Sequence, residues 1–162
     1  MSEPVWTHQV QYYIKTGETG SNPATPVYTL IDYDSSFNPS KDISYYEPEY
    51  KARENQPKWA TSVKTSIDFD IDIVENETLQ EWFKTNEDVL NVETEVIRVW
   101  ETASSEPTAG YPAKKAAFVM NCNPLDGDAG SAVHATGTLE MTSNGWTAGT
   151  FKTSNGTFTT SV

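Results

Sequence analysis

Three carboxylates spaced two apart, Asp68, Asp70 and Asp72, are the residues here whose type and spacing invite a chemical reading. Such a cluster could hold a cation or supply an acid and base pair for glycoside cleavage. A calcium loop needs glycine at its sixth position and a bidentate glutamate at its twelfth, and counting from Asp68 those places hold Ile73 and Leu79. The EF-hand reading therefore fails. Ile67, Phe69, Ile71 and Ile73 interleave with the aspartates, which is the period of a strand with one buried and one solvated face. A charged, solvated strand face accounts for the three aspartates without catalysis. His8 and His134 are the only histidines, and neither stands at a zinc-ligand spacing; both read as polar-face strand residues. No Gly-x-Ser-x-Gly elbow and no glycine-rich phosphate loop occurs. Cys122, beside Phe118 and Met120, reads as a small apolar residue. No catalytic residue, metal site or cofactor is expected.

The elements around these aspartates carry most of the charge. Acidic against basic residues number 8 to 5 over 1–62, 11 to 3 over 63–101 and 4 to 3 over 102–162, within a net charge of −12. That balance excludes an ordinary nucleic-acid binder, which needs a basic surface, and suits one that repels phosphates. A single cysteine permits no intrachain disulfide, and Met-Ser-Glu-Pro-Val-Trp lacks a basic-then-apolar leader. The expectation is a chain made in a reducing cytoplasm with no membrane anchor.

At 162 residues the chain suits one domain. Alternation predicts strands over residues 6–15, 27–33, 64–74, 92–100, 115–122 and 133–141, with residues 17–26 breaking the first. Val96, Ile97 and Val99 are apolar on both faces, so that strand should be buried on two sides. A short helix is predicted over Thr78–Asn86, capped by Asn76 or Thr78 with Glu81 completing a capping box, and packing through Leu79, Trp82 and Phe83. Thr-Ser-Asn-Gly occurs at 142–145 and 153–156; each Asn-Gly signals a type I′ hairpin, which predicts a C-terminal β-meander arm over about 142–162. Residues 35–62 hold three prolines and few aliphatics, and read as a long extended loop. It contains Tyr45, Tyr46, Tyr50 and Trp59, which disordered linkers seldom carry, so it is expected to order against a partner. The fold class is mainly β, a β-sandwich or barrel with one flanking α-helix.

In this order the parts resemble the major tail tube proteins of long-tailed, siphophage-type bacteriophages. The resemblance rests on Tyr45-Tyr46-Glu47 and the stretch to Ser62, on 64–74 running into Thr78-Leu79-Gln80-Glu81-Trp82-Phe83, on 96–100, and on 132–141 with its His-Ala-Thr-Gly-Thr centre. It covers about residues 44–151; the Thr-Ser-Asn-Gly pair has no counterpart. The resemblance implies a structural virion protein that self-assembles into stacked hexameric rings with a joined inner β-barrel, forming a hollow conduit for genome delivery. It implies an inter-ring contact made by the long loop, with Tyr45, Tyr46, Tyr50, Lys51, Arg53 and Trp59. Asp68, Asp70 and Asp72 would then face the lumen. Tape measure, baseplate or tip, and terminator proteins are the implied partners, and DNA passes without specific binding. The alternative is a non-catalytic carbohydrate-binding or adhesion β-sandwich using Trp59, Trp100 or Trp146 as a sugar platform.

Overall fold

The computed structural model describes residues 2–21 and 23–161. After a 3-10 turn over Thr7–Gln9 come β1 (Val10–Thr19), β2 (Thr25–Leu30), β3 (Asp34–Tyr46) and β4 (Trp59–Asp72). Helix α1 (Thr78–Asn86) leads to β5 (Val92–Trp100), β6 (Tyr111–Cys122), β7 (His134–Met141), β8 (Thr147–Lys152) and β9 (Thr157–Thr160). Every pairing is antiparallel, in the order β2-β1-β5-β6-β7-β4-β3, with β8 and β9 on a side branch. The fork is β6. Its last residues, Phe118 to Cys122, pair with β7, while Tyr111 to Lys115 pair with β8 on the same edge.

The strand path curls on itself, because the Tyr12 ring of β1 lies 4.8 Å from the Phe37 ring of β3 although four strands, β5, β6, β7 and β4, stand between them on the path. The main core fills that curl with Ile67, Phe69 and Ile71 of β4, Val96 of β5 and Phe118 of β6. A second core lies on the other side of β5, where Ile97 and Val99 meet Phe151 of β8, whose ring is 4.6 Å from Tyr13 and 6.1 Å from Tyr28. Successive residues Val96 and Ile97 thus enter different cores, as two-sided burial of this strand requires. Gly137 lets β6, β7 and the Phe69 ring close together: a Cβ there would come within 3.0 Å of Phe69 Cζ and would also strike the Asn121 carbonyl.

Helix α1 docks by Leu79 and Phe83, both almost wholly buried, and Phe83 packs 5.3 Å from the Phe69 ring. Trp82 is only half-buried and leans edge-on against Phe83 at 5.3 Å. The expected cap is absent. Glu77 is the N-cap, with no side-chain cap bond, and Asn76 instead takes a left-handed turn at φ 64°. The buried Gln80 amide, donating to the Asp72 carbonyl at 3.3 Å, ties the helix to the end of β4.

Three sequence expectations change. β1 starts at Val10, after the 3-10 turn, and runs through Gly17, where the register with β2 shifts; the glycine marks a bulge and not a break. Neither Asn144 nor Asn155 has the positive φ that a type I′ turn needs at both central residues, although Gly145 and Gly156 do. Asn155-Gly156 lies in the four-residue connection of the β8–β9 hairpin, closed by a Gly156 N–H to Lys152 carbonyl bond of 2.8 Å. Asn144-Gly145 lies instead in a crossover between β7 and β8, which are not paired. The largest change concerns the predicted loop over 35–62, most of which is strand: β3 and β4 pair from Asp34↔Ile71 out to Tyr46↔Trp59. β4 pairs with β7 only from Ser66 inward, so the outer part is a two-stranded arm. Its serines, lysines and aspartate are exposed because no other strand packs on it, which removes the apolar alternation by which a strand is recognised. Pro39 is tolerated because β3 is an edge strand.

Candidate assembly surfaces

The arm ends in a connector, residues 47–58, held by its own side chains. The Gln56 amide accepts from Tyr50 N–H at 2.7 Å and donates to the Arg53 carbonyl at 2.7 Å and the Tyr50 carbonyl at 3.1 Å. The Arg53 guanidinium sits 5.8 Å from the Tyr50 ring, and Lys58 Nζ lies 4.1 Å from the Tyr45 ring while also pairing with Glu47 at 3.4 Å. Tyr46 stacks on Trp59 at 6.2 Å. The contacts fall in three pairs around the arm's end, Tyr45 with Lys58, Tyr46 with Trp59 and Tyr50 with Arg53, and Lys51 is exposed in the connector. Gln56 and Lys58, which organise the tip, were not singled out by the sequence; only their side-chain contacts in the folded connector reveal them. Tyr45, Tyr46, Tyr50 and Trp59 remain 42–54% exposed, as do Ile43 and Val63 lower on the arm at 39% and 55%. The arm thus exposes a run of large apolar groups along a thin ribbon.

The second surface is the face of β4 opposite Ile67, Phe69 and Ile71. Asp68, Asp70 and Asp72 lie there in one row. Register adds Glu140 of β7, across from Ser66, and Glu93 of β5, reached through Val119 of β6. Both escaped the sequence reading because alternation assigns a residue to a face but not to a neighbour. The row is not uniform. Thr138 Oγ1 donates to Asp68 at 3.2 Å, and His134 Nδ1 meets Asp70 Oδ1 at 2.7 Å while its Nε2 lies 3.2 Å from Asp126. His134 thereby joins the row to the 123–130 loop, where a backbone bridge pairs Asp126 with His134. Cys122 is half-buried, and burial, assisted by Glu87, pushes its thiol up to about 11. The shift favours the protonated thiol at neutral pH.

His134 supplies a pH test. The hydrogen bond to Asp70, then the negative charge of Asp70, Asp126 and Asp72, raise its pKa against the opposing effect of desolvation. A folded-state pKa above the unfolded value means that the cation's contribution is full below about pH 6.5 and is lost as pH rises through the folded value. Melting curves from about pH 5.5 upward should show wild type losing stability relative to His134→Ala as pH rises. Parallel pH profiles would mean that the clamp contributes nothing.

Of the tryptophans considered for a sugar platform, Trp59 belongs to the arm, whereas Trp100 and Trp146 lie 5.9 and 5.2 Å from the same Arg98 guanidinium. No described helix is long and apolar enough to cross a membrane. No family model matches the chain, and no curated protein matches it in sequence. Among solved structures it is similar to a chain in the cryo-EM structure of the anti-feeding prophage (AFP) baseplate, 6-fold symmetrised, with a TM-score of 0.52 and 15% sequence identity. The match covers 91% of this chain and 97% of that one, and at this identity it is a likeness of fold.

Proposed function

We propose that this chain is a structural subunit of a phage tail or tail-like particle, in which six copies close into a ring and rings stack into a hollow tube. The observation that carries the reading is the fold shared along nearly the full length of both chains with a component of a six-fold symmetrised baseplate. The molecule's own features agree with it. β3 and β2 end the main sheet path, and open strand edges pair with other chains unless covered. Closed symmetry uses such edges without uncontrolled growth. The arm, with Tyr45, Tyr46, Tyr50, Lys51, Arg53 and Trp59, would meet the neighbouring ring. The row of Asp68, Asp70 and Asp72 would face the bore, where negative charge repels phosphates and lets DNA slide without sticking. Tape measure, tip and terminator proteins would be its partners in the virion, and its role would be non-enzymatic.

Negative-stain microscopy of the purified protein tests the reading. Rings or hollow rods are expected, with or without an added nucleus. A persistent monomer that gives signal on a glycan array would favour the carbohydrate-binding alternative.

A further inference from the structure

The two ends of β5 differ in a complementary way. Before its first residue, Asp88, Val89 and Leu90 form a corner, with Val89 47% and Leu90 80% exposed. The corner is fixed by Asn91, at φ 55°, whose N–H donates to Asn121 Oδ1 at 2.9 Å. Near the other end, Arg98 stands directly across from Lys114 of β6, and both line a pocket of about 330 Å³ that Lys41 of the arm also enters. No carboxylate lines this pocket, and none of the three cations makes an ion pair among the described residues. Like charges directly opposite on adjacent strands are unfavourable. Arg98 Nε is moreover buried without a hydrogen-bond partner among the described residues. In a chain of 23 acidic and 11 basic side chains, three cations around one pocket with no carboxylate partner among the described residues call for an anion, even though Arg98 also lies beside the Trp100 and Trp146 rings.

We infer that this pocket is a socket for a second copy of the same chain, which inserts its residue 88–90 corner so that Asp88 meets Arg98, Lys114 and Lys41. The apolar parts match as well as the charges. Ile43 and Val63, paired across the arm, lie two residues beyond the Lys41–Thr65 pair on the same face, and so form an exposed apolar rim for Val89 and Leu90. Knob and socket are separated by seven residues of one strand, about 23 Å at ~3.3 Å per residue. A single copy cannot satisfy itself across that distance. The contact is therefore head-to-tail, the kind that closes into rings or propagates along an axis. This inference rests on the reading that copies of this chain pack together in a tail-like assembly.

Charge exchange tests it. Asp88→Lys alone, and Lys41→Glu with Lys114→Glu, alter exposed side chains, and each should raise the protein concentration needed for assembly by roughly tenfold or more while leaving the monomer's circular dichroism unchanged. Combining all three substitutions should restore assembly towards the wild-type concentration, which a variant damaged in folding would not do. The inference is overturned if both charge variants assemble like wild type, or if the combination is no better than the worse of them. Wild type that stays a monomer at every concentration, with an added nucleus as well as without one, overturns both the socket and the tail-assembly reading, whereas assembling wild type with indifferent charge variants overturns the socket alone.

Discussion

Replacing residues 43–63 by a two-residue Asn-Gly turn should leave a folded body and abolish tube formation. The cut falls just outside the Asp42↔Lys64 pair, so the remaining hairpin closes with a turn whose twist suits antiparallel strands. Nothing removed belongs to either core: Phe37, Ile67 and Phe69 are all retained on the body side of the cut, and Ile43, Val63, Tyr46 and Trp59 are exposed. Melting temperature should therefore change little, since surface groups of this kind contribute within about 0.5 kcal/mol each. Assembly, in contrast, should lose the apolar and aromatic surface that the arm presents. Normal tubes from this variant would show that the arm is not an inter-ring contact, and collapse of the monomer would show that it is part of the folding unit.

Phe83→Ala should be the most destabilising single change outside the sheet. The ring is 1% exposed and packed on Phe69, so its removal leaves a cavity between helix and sheet and should cost about 3 to 5 kcal/mol. For a domain of this size, that corresponds to a fall in melting temperature of roughly 6 to 20 °C. Trp82→Ala should cost less despite the larger side chain, because Trp82 is half-buried and leans on Phe83 from the rim. Thermal melts of the two variants measure the order. A larger loss for Trp82, or none for Phe83, would remove α1 from the core as described.

The parts of this molecule that can be read from sequence are those in which one residue's neighbours along the chain determine its surroundings. The inner part of β4 is legible because Ile67, Phe69 and Ile71 alternate with aspartates, and β5 because Val96 and Ile97 demand burial on both sides. The helix is legible through Leu79 and Phe83, although its cap is not, since Asn76 turns left-handed before Glu77 begins the helix. The arm is hidden because its ladder runs through exposed polar side chains that leave no periodic trace. The fork at β6 is hidden for a different reason: two strands share one of its edges, a fact of long-range pairing. The same holds for the candidate surfaces. Asp68, Asp70 and Asp72 declare their shared face locally, whereas Glu140, Glu93, the His134 clamp and the Arg98–Lys114 pair exist only once the register is known.

A cryo-EM reconstruction of particles assembled from the wild-type chain tests the central claim most directly. The account predicts six copies around a hollow bore, with Asp68, Asp70 and Asp72 on the inner wall and the β3–β4 arm seated on the next ring. A closed particle with those aspartates on its outer surface, or a particle without a bore, would contradict it.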